Sequence, residues 1–437
     1  MGKFKKSTQN NVKFIDSKDL YDKLLDKNSI VVRIHDLVDF EHYKPILEPL
    51  YSDFGREAYD CIFMFKLTIL QYLKNGLSDR EVILQAKTNL EFKYFLDMAI
   101  DDPIPNYSKL STFRERVGES NFKNLFESFV KILKDQKLIT KDDIRYMDAT
   151  HQLADVSLVS INTLLLQSCK NTIKTLEKYE KFRKLSEFEK KDFLLSEKEK
   201  KERFVKLVEL ARELQTIITN KYFHDKELME EKAILSRILK ERSTEKDGKV
   251  ERQNNDDVGK LASLTDKDAT WGSKSKEFQF LGYKHNVTAV ENGFIEVVST
   301  HKGHKGDEEF YMEDAKKISG NKIVTDSKYG TIKNRKRSKE INIQLVSPCK
   351  KNMTAHLSDK DMDDAFIYNH SSQYKQEMKK RGSIIEGIFG VCKNMHSLAR
   401  AKYRGISKVS VQALITAFVI NLKALARMIN PAVALKK

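Results

Sequence analysis

Ile144-Arg145-Tyr146-Met147-Asp148-Ala149-Thr150-His151 reads as a β-strand running into a carboxylate, at a point where the texture of the chain changes. Downstream, the strand pattern returns from Phe278. Tyr283 to Val290 and Phe294 to Thr300, joined by Glu291-Asn292-Gly293, spell a hairpin. Asp307 to Ile318 reads as a helix, Lys322-Ile323-Val324-Thr325-Asp326 as a short strand ending in an acid, and Ser327 to Lys339 as a loop and basic helix. Ile341 to Val346 is a buried strand, residues 374–394 are helical and contain Glu386, and a final helix starts after Ser407. Residues 157–245 interrupt this series. They are mostly helical and highly charged, and Phe204, Leu207, Val208, Ala211, Leu214 and Ile218 form one apolar stripe. A long helical hairpin inserted after the first strand is expected there, followed by a polar, flexible connection over 244–260.

Upstream, residues 1–30 are polar and expected to form a loose basic arm, and residues from Phe40 to Leu138 are helical. Cys61 to Leu73 is an apolar helix stopped by Asn75-Gly76. Ser78-Asp79-Arg80-Glu81 has the form of a capping box, with a hydroxyl for the first unpaired amides and a Glu that reaches back. Pro103 and Pro105 break the chain, and Ser108 can cap a short helix from Lys109 to Val117 that Gly118 ends. Its Leu110, Phe113 and Val117 share one face, so Arg114 and Arg116 should point elsewhere, with Lys109 nearby. Two short capped helices with a tight connection, the second basic, resemble a helix-turn-helix. A plain helical bundle with a solvated basic face accounts for the same pattern.

Lys plus Arg number 79 against 63 Asp plus Glu, a net charge of +16 over 437 residues. A surplus of that size points to a polyanionic partner, usually nucleic acid, because phosphate neutralisation releases counterions. Cys61, Cys169, Cys349 and Cys392 are scattered, so neither a zinc site nor a disulfide framework is indicated, and such thiols suit a reducing cytoplasm. The N-terminus lacks an apolar signal core. Val409 to Ile429 is apolar but carries Gln412, Asn421, Lys423 and Arg427, which reads as a buried or amphipathic helix and not a membrane span.

The succession of strand with Asp, hairpin, helix, strand with Asp, helix, strand and helix with Glu resembles the ribonuclease H-like fold with its acidic triad. Phosphodiester cleavage by two metals needs convergent carboxylates that hold two Mg²⁺ ions. The words strengthen the likeness. Met147-Asp148-Ala149-Thr150 resembles the first Asp motif of DDE insertion-sequence transposases, and Val324-Thr325-Asp326-Ser327-Lys328-Tyr329-Gly330 resembles the second. Arg381 to Lys393, in which Glu386 is followed seven positions later by Lys393, resembles the third, and Tyr403 to Val409 follows as in that family. Residues 36–137, with Leu77 to Glu81 and Pro105 to Arg116, look like the helical N-terminal domain of the same transposases. The third motif departs from the usual Tyr, two residues, Arg, three residues, Glu. Four residues separate Arg381 from Glu386, Met378 stands three before Arg381, and Gly382 occupies the usual Arg place.

The resemblance implies an α+β multidomain protein: a flexible arm (1–30), an all-α DNA-binding domain (31–138), and a ribonuclease H-like α/β catalytic domain (139–156 and 261–437) interrupted by a helical insertion and linker (157–260). Asp148, Asp326 and Glu386 would be the catalytic metal ligands, with Mg²⁺ or Mn²⁺ as cofactor. Lys109, Arg114, Arg116, Lys328, Arg335, Lys336, Arg337, Arg381 and Lys393 would contact double-stranded DNA, both terminal inverted repeats and target. The enzyme would hydrolyse a phosphodiester and join the 3′-hydroxyl to target DNA, acting as a homodimer in the cytoplasm at the bacterial nucleoid, with no membrane partner. The excess apolar surface of the insertion would meet a partner subunit or DNA. Trp271 is expected to pack on the hairpin rather than stack on an unpaired base, His151 and His285 to serve structural or supporting roles and not to bind metal, and Asp307 to cap its helix, with a supporting metal contact as the lesser alternative and Asp155 treated likewise. Two other functions compete: a ribonuclease H-like nuclease or resolvase without strand transfer, and a decayed transposase that only binds DNA. Acids at all three positions argue against decay, and the helical N-terminal region argues against a plain nuclease.

Overall fold

The structure is a computed structural model that describes residues 17–52, 58–183, 185–246, 248–253, 258–273, 277–349 and 360–429. The chain divides into two compact units, one of residues 1–135, 292–294 and 415–437, the other of residues 136–291 and 295–414.

The first unit is helical: α1 (Ser17–Leu24), α2 (Ile30–Leu37), α3 (Lys44–Leu47), α4 (Cys61–Leu73), α5 (Asp79–Thr88), α6 (Leu90–Phe95) and α7 (Ser108–Asp135). The expected loose arm therefore contains a helix, and its residues 1–16 lie outside the described residues. Asp60 caps α4 by accepting the Phe63 amide at 2.8 Å. Asn75 and Gly76 follow with φ of 59° and 64°, a left-handed pair that an α-helix cannot absorb. The Ser78/Glu81 capping box is formed at the start of α5. Gly118, at φ 66° and ψ 169°, interrupts α7 where the short helix was expected to end. The connection is not tight, however: α6 and residues 96–107 separate α5 from the Lys109 helix. Phe418 from the last helix of the chain seats among Tyr43, Phe65 and Phe129 at ring separations of 5.6, 5.6 and 4.8 Å.

The second unit opens with β1 (Arg145–Leu153), then α8 (Ile161–Leu176), α9 (Glu197–Lys221) and α10 (Lys226–Arg242). A hairpin of β2 (Ser243–Lys246) and β3 (Lys249–Arg252) follows, then β4 (Thr270–Ser273), β5 (Gln279–Val290) and β6 (Ile295–Lys302). The chain continues through α11 (Asp307–Ala315), β7 (Lys322–Val324), α12 (Ile332–Glu340), β8 (Gln344–Val346), α13 (Lys360–Asn369), α14 (Ser372–Met395) and α15 (Ile406–Met428). One sheet runs in the order β4-β5-β1-β7-β8, with β6 also pairing β5. β1 is antiparallel to β5 and parallel to β7, which is parallel to β8. Met147 and Ile323 share a core cluster with Tyr311, Tyr329, Ile343 and Leu345.

The strand does not stop at Asp148. It continues to Leu153 because β5 pairs it residue for residue from Arg145 to Leu153. The insertion is three helices and not two. The α9 stripe packs into one cluster with Leu164, Leu165 and Cys169 of α8 and Leu228, Leu235 and Ile238 of α10, so this chain covers it without a partner. Within the connection expected to be flexible over 244–260, β2 and β3 pair as an antiparallel ladder, and 247 and 254–257 lie outside the described residues. Trp271 lies on β4 opposite Leu281 of β5. Among the described residues α15 is the one helix long and apolar enough to cross a membrane, and its most apolar stretch is 89% buried in the protein, as a core helix would be.

Candidate active site

β1 and β7 pair through Arg145↔Ile323 and Tyr146↔Val324. Two residues beyond the second pair stand Asp148, still within β1, and Asp326, past the end of β7. Because side chains in a strand alternate with a period of two, Asp148 lies on the face of Tyr146; Asp326 is near enough to raise its carboxyl. The turn after Asp326 is fixed locally. Asp326 Oδ1 accepts the Lys328 amide at 2.9 Å, and its carbonyl accepts the Ser347 hydroxyl at 2.6 Å. Gly330 is required there, since a Cβ would come within 2.4 Å of Ser347 Oγ.

Asp148 is half-buried, and its Oδ2 pairs with Arg381 Nη2 at 2.7 Å. Burial pushes its carboxyl up to about 6; the Arg381 charge and the Ala149 amide oppose this, while Asp326 and Asp307 add to it. Arg381 Nε is itself buried without a hydrogen-bond partner. Asp307 is a carboxylate that the sequence reading undervalued. It stands inside the first turn of α11, after the cap at Gly306, and is buried. It accepts from Lys284 Nζ at 2.9 Å and Lys328 Nζ at 3.2 Å. Burial works against the Lys328 charge, yet Asp307, Asp326 and Asp148 together hold its pKa above the ordinary range. The legible signal was Lys284, a cation in an otherwise buried strand.

Asp148, Asp326, Asp307, Arg381 and Lys328 thus form one electrostatic group. Glu386 is exposed on α14. It follows Arg381 by five residues, about 140° around the helix. Among the described residues no three His, Cys, Asp or Glu side chains converge closely enough to hold a metal ion. The buried carboxylate of α14 is Glu377, which pairs with Lys322 and accepts from Tyr368 at 2.9 Å.

Two expected DNA contacts are committed inside the protein. Arg114 is buried, with Nη1 and Nη2 on the two Asp79 oxygens at 3.1 and 2.6 Å. Sharing a helix with an apolar face did not leave it outside, because α5 supplies a carboxylate to draw it in. Arg335 is buried and donates to the carbonyls of Gly330 at 3.2 Å and Ser347 at 2.7 Å, bracing the turn after Asp326. Lys109, Arg116, Lys328, Lys336 and Arg337 are exposed, and Lys393 is half-buried. His285 is fully buried between Gln152 at 2.9 Å and Thr300 at 3.0 Å, and burial pushes its pKa down to about 3, so it stays neutral. His151 packs against Phe278 and Phe280. Asp155 pairs with Arg400 and Arg404.

Two family models match the chain. Residues 19–116 match the transposase domain family DUF772, and residues 334–426 match the transposase DDE domain. Comparisons with curated proteins and with solved structures gave no match. Two transposase domains in one chain indicate a DNA transposase, an enzyme class that acts on DNA. More narrowly, the pair supports an insertion-sequence DDE transposase. The second match contains Arg381, Glu386 and Lys393 but begins after Asp148 and Asp326.

Proposed function

We propose that this protein binds the ends of an insertion sequence, cleaves a phosphodiester with divalent metal held by Asp148, Asp326 and Glu386, and joins the resulting 3′-hydroxyl to target DNA. The observation that carries the reading is the parallel pairing of β1, which contains Asp148, with β7, which ends two residues before Asp326. The order β6-β5-β1-β7-β8, antiparallel and then parallel, is the arrangement a ribonuclease H-like domain needs, and it supports that assignment for the sheet of the second unit.

The donor set fits a hard divalent cation. Asp148 and Asp326 are oxygen donors near enough for one charge to raise the other's carboxyl, and Arg381 and Lys328 now supply positive charge to the same acids. Bound Mg²⁺ or Mn²⁺ would activate the attacking oxygen and stabilise the leaving one. The protein's own groups do the rest. Gly330 and Arg335 hold the turn that presents Asp326. Lys284 and Lys328 hold Asp307 in place through two ion pairs. Arg381, released from Asp148, is placed to meet a DNA phosphate, and the exposed cations of α12 extend that path. Lys109 and Arg116 contact end DNA from the helical unit, and joining two ends requires at least a dimer.

The test is to incubate the full chain with element-end DNA in Mg²⁺ and in Ca²⁺. Nicked 3′-hydroxyl ends and joined products are expected with Mg²⁺ only. Asp148→Asn and Asp326→Asn should abolish both products while end binding survives, since the amide keeps the shape and loses the charge. Cleavage at wild-type rate by either variant overturns the metal-ligand assignment, and cleavage without joining favours a nuclease.

A further inference from the structure

The helical unit holds a cavity of about 650 Å³ that the reading above does not use. Its walls come from residues ahead of α4 and from the first part of α7: Tyr51, Tyr59, Asp60, Lys109, Thr112 and Arg116 line it. The Arg116 guanidinium carbon lies over the Tyr51 ring, 4.2 Å from its centre, a cation against an aromatic face. Tyr59 is 42% exposed and stacks on Phe63 at 6.4 Å and 25°. One exposed aromatic ring, a second half-buried one, two cations, a hydroxyl and a carboxylate in one concave site match the parts of a single nucleotide. The rings stack a base, Lys109 and Arg116 take its phosphate, and Thr112 and Asp60 meet polar base edges. A paired base in a duplex exposes no face for stacking.

We propose that this cavity takes one unpaired nucleotide of bound DNA. The proposal rests on the DNA-binding reading and adds that the helical unit recognises an extruded or frayed base.

The test uses the full chain and two probes that differ in one feature: a duplex with a single 2-aminopurine bulge, and the same duplex fully paired. Affinity for the bulged probe should be about tenfold higher, the order that one stacked base contributes, and its fluorescence should be quenched on binding. Tyr59→Ala should remove the preference and the quenching while paired-duplex binding stays within about twofold. Tyr51→Leu should act the same way and controls for folding, as it keeps the apolar wall. Equal affinity for the two probes, or a preference that survives both substitutions, overturns the cavity proposal alone. Failure to bind either probe overturns the DNA-binding reading with it.

Discussion

At the scale of single residues, Asp148 carries the clearest consequence. Its carboxyl is raised to about 6 by burial, with Asp326 and Asp307 adding and Arg381 opposing. A raised carboxyl favours the protonated form in the folded state. Its contribution to stability is therefore complete below the ordinary carboxylate range and is lost as pH rises through 6. The proposed function runs the other way, since an Asp148 that binds metal must be ionised. In metal-free protein, carboxyl NMR should place the Asp148 midpoint near 6, and Arg381→Ala should move it higher by removing the opposing charge. A midpoint near 4 in both proteins refutes the burial argument. Asp148 and Asp326 stood out as residues because each follows a strand-like run, although β1 continues past Asp148 to Leu153. Asp307 did not. A carboxylate at a helix start reads as a cap, and its true partners lie on β5 and in the turn after Asp326, far off in the sequence. Glu386 remains a residue whose role the motif names and whose position on an exposed helix face does not decide.

At the scale of elements, local chemistry was legible and partnership was not. The β5–β6 hairpin follows from Gly293 at φ 87°, which only the turn itself requires. The end of β1 depends on β5, more than a hundred residues away, so no local signal stops it at Leu153. The insertion shows the same limit. The α9 stripe was plain, but that α8 and α10 jointly bury it could be learned only from packing. Arg114 is the sharpest case. A helical wheel places its Cα correctly and says nothing of Asp79 on α5. This half-buried, two-pronged pair joins α5 to α7, so Arg114→Ala should cost about 1.5–3 kcal/mol, the range for hydrogen bonds to charged groups. Arg114→Lys should recover little, because an ammonium cannot span both oxygens. Thermal melts of the two variants decide it. Melts like wild type, with end binding lost, would return Arg114 to the DNA interface.

At the scale of the whole molecule, charge is the property that survives every local correction. The net +16 was read as a sign of DNA, and removing Arg114 and Arg335 from the contact set does not change the surplus. It changes where the surplus can act. On α12 the buried side is Asn334, Arg335 and Ser338, while Lys333, Lys336, Arg337 and Lys339 are exposed. One helix thus separates an arginine that braces the Asp326 turn from cations that face outward. Only the second set should enter the electrostatic term, in which each phosphate neutralised adds about 0.9 to the slope of log affinity against log salt. Replacing Lys333, Lys336 and Arg337 together by Gln should therefore lower duplex affinity at low salt and make the slope shallower by roughly 2–3. The loss should be alike for all sequences, since phosphate contacts position the protein and carry no base readout. A titration series between low and moderate salt, on an element end and on an unrelated duplex, measures both. An unchanged slope would move the DNA path away from α12, and a loss confined to the element end would make these side chains readers of sequence.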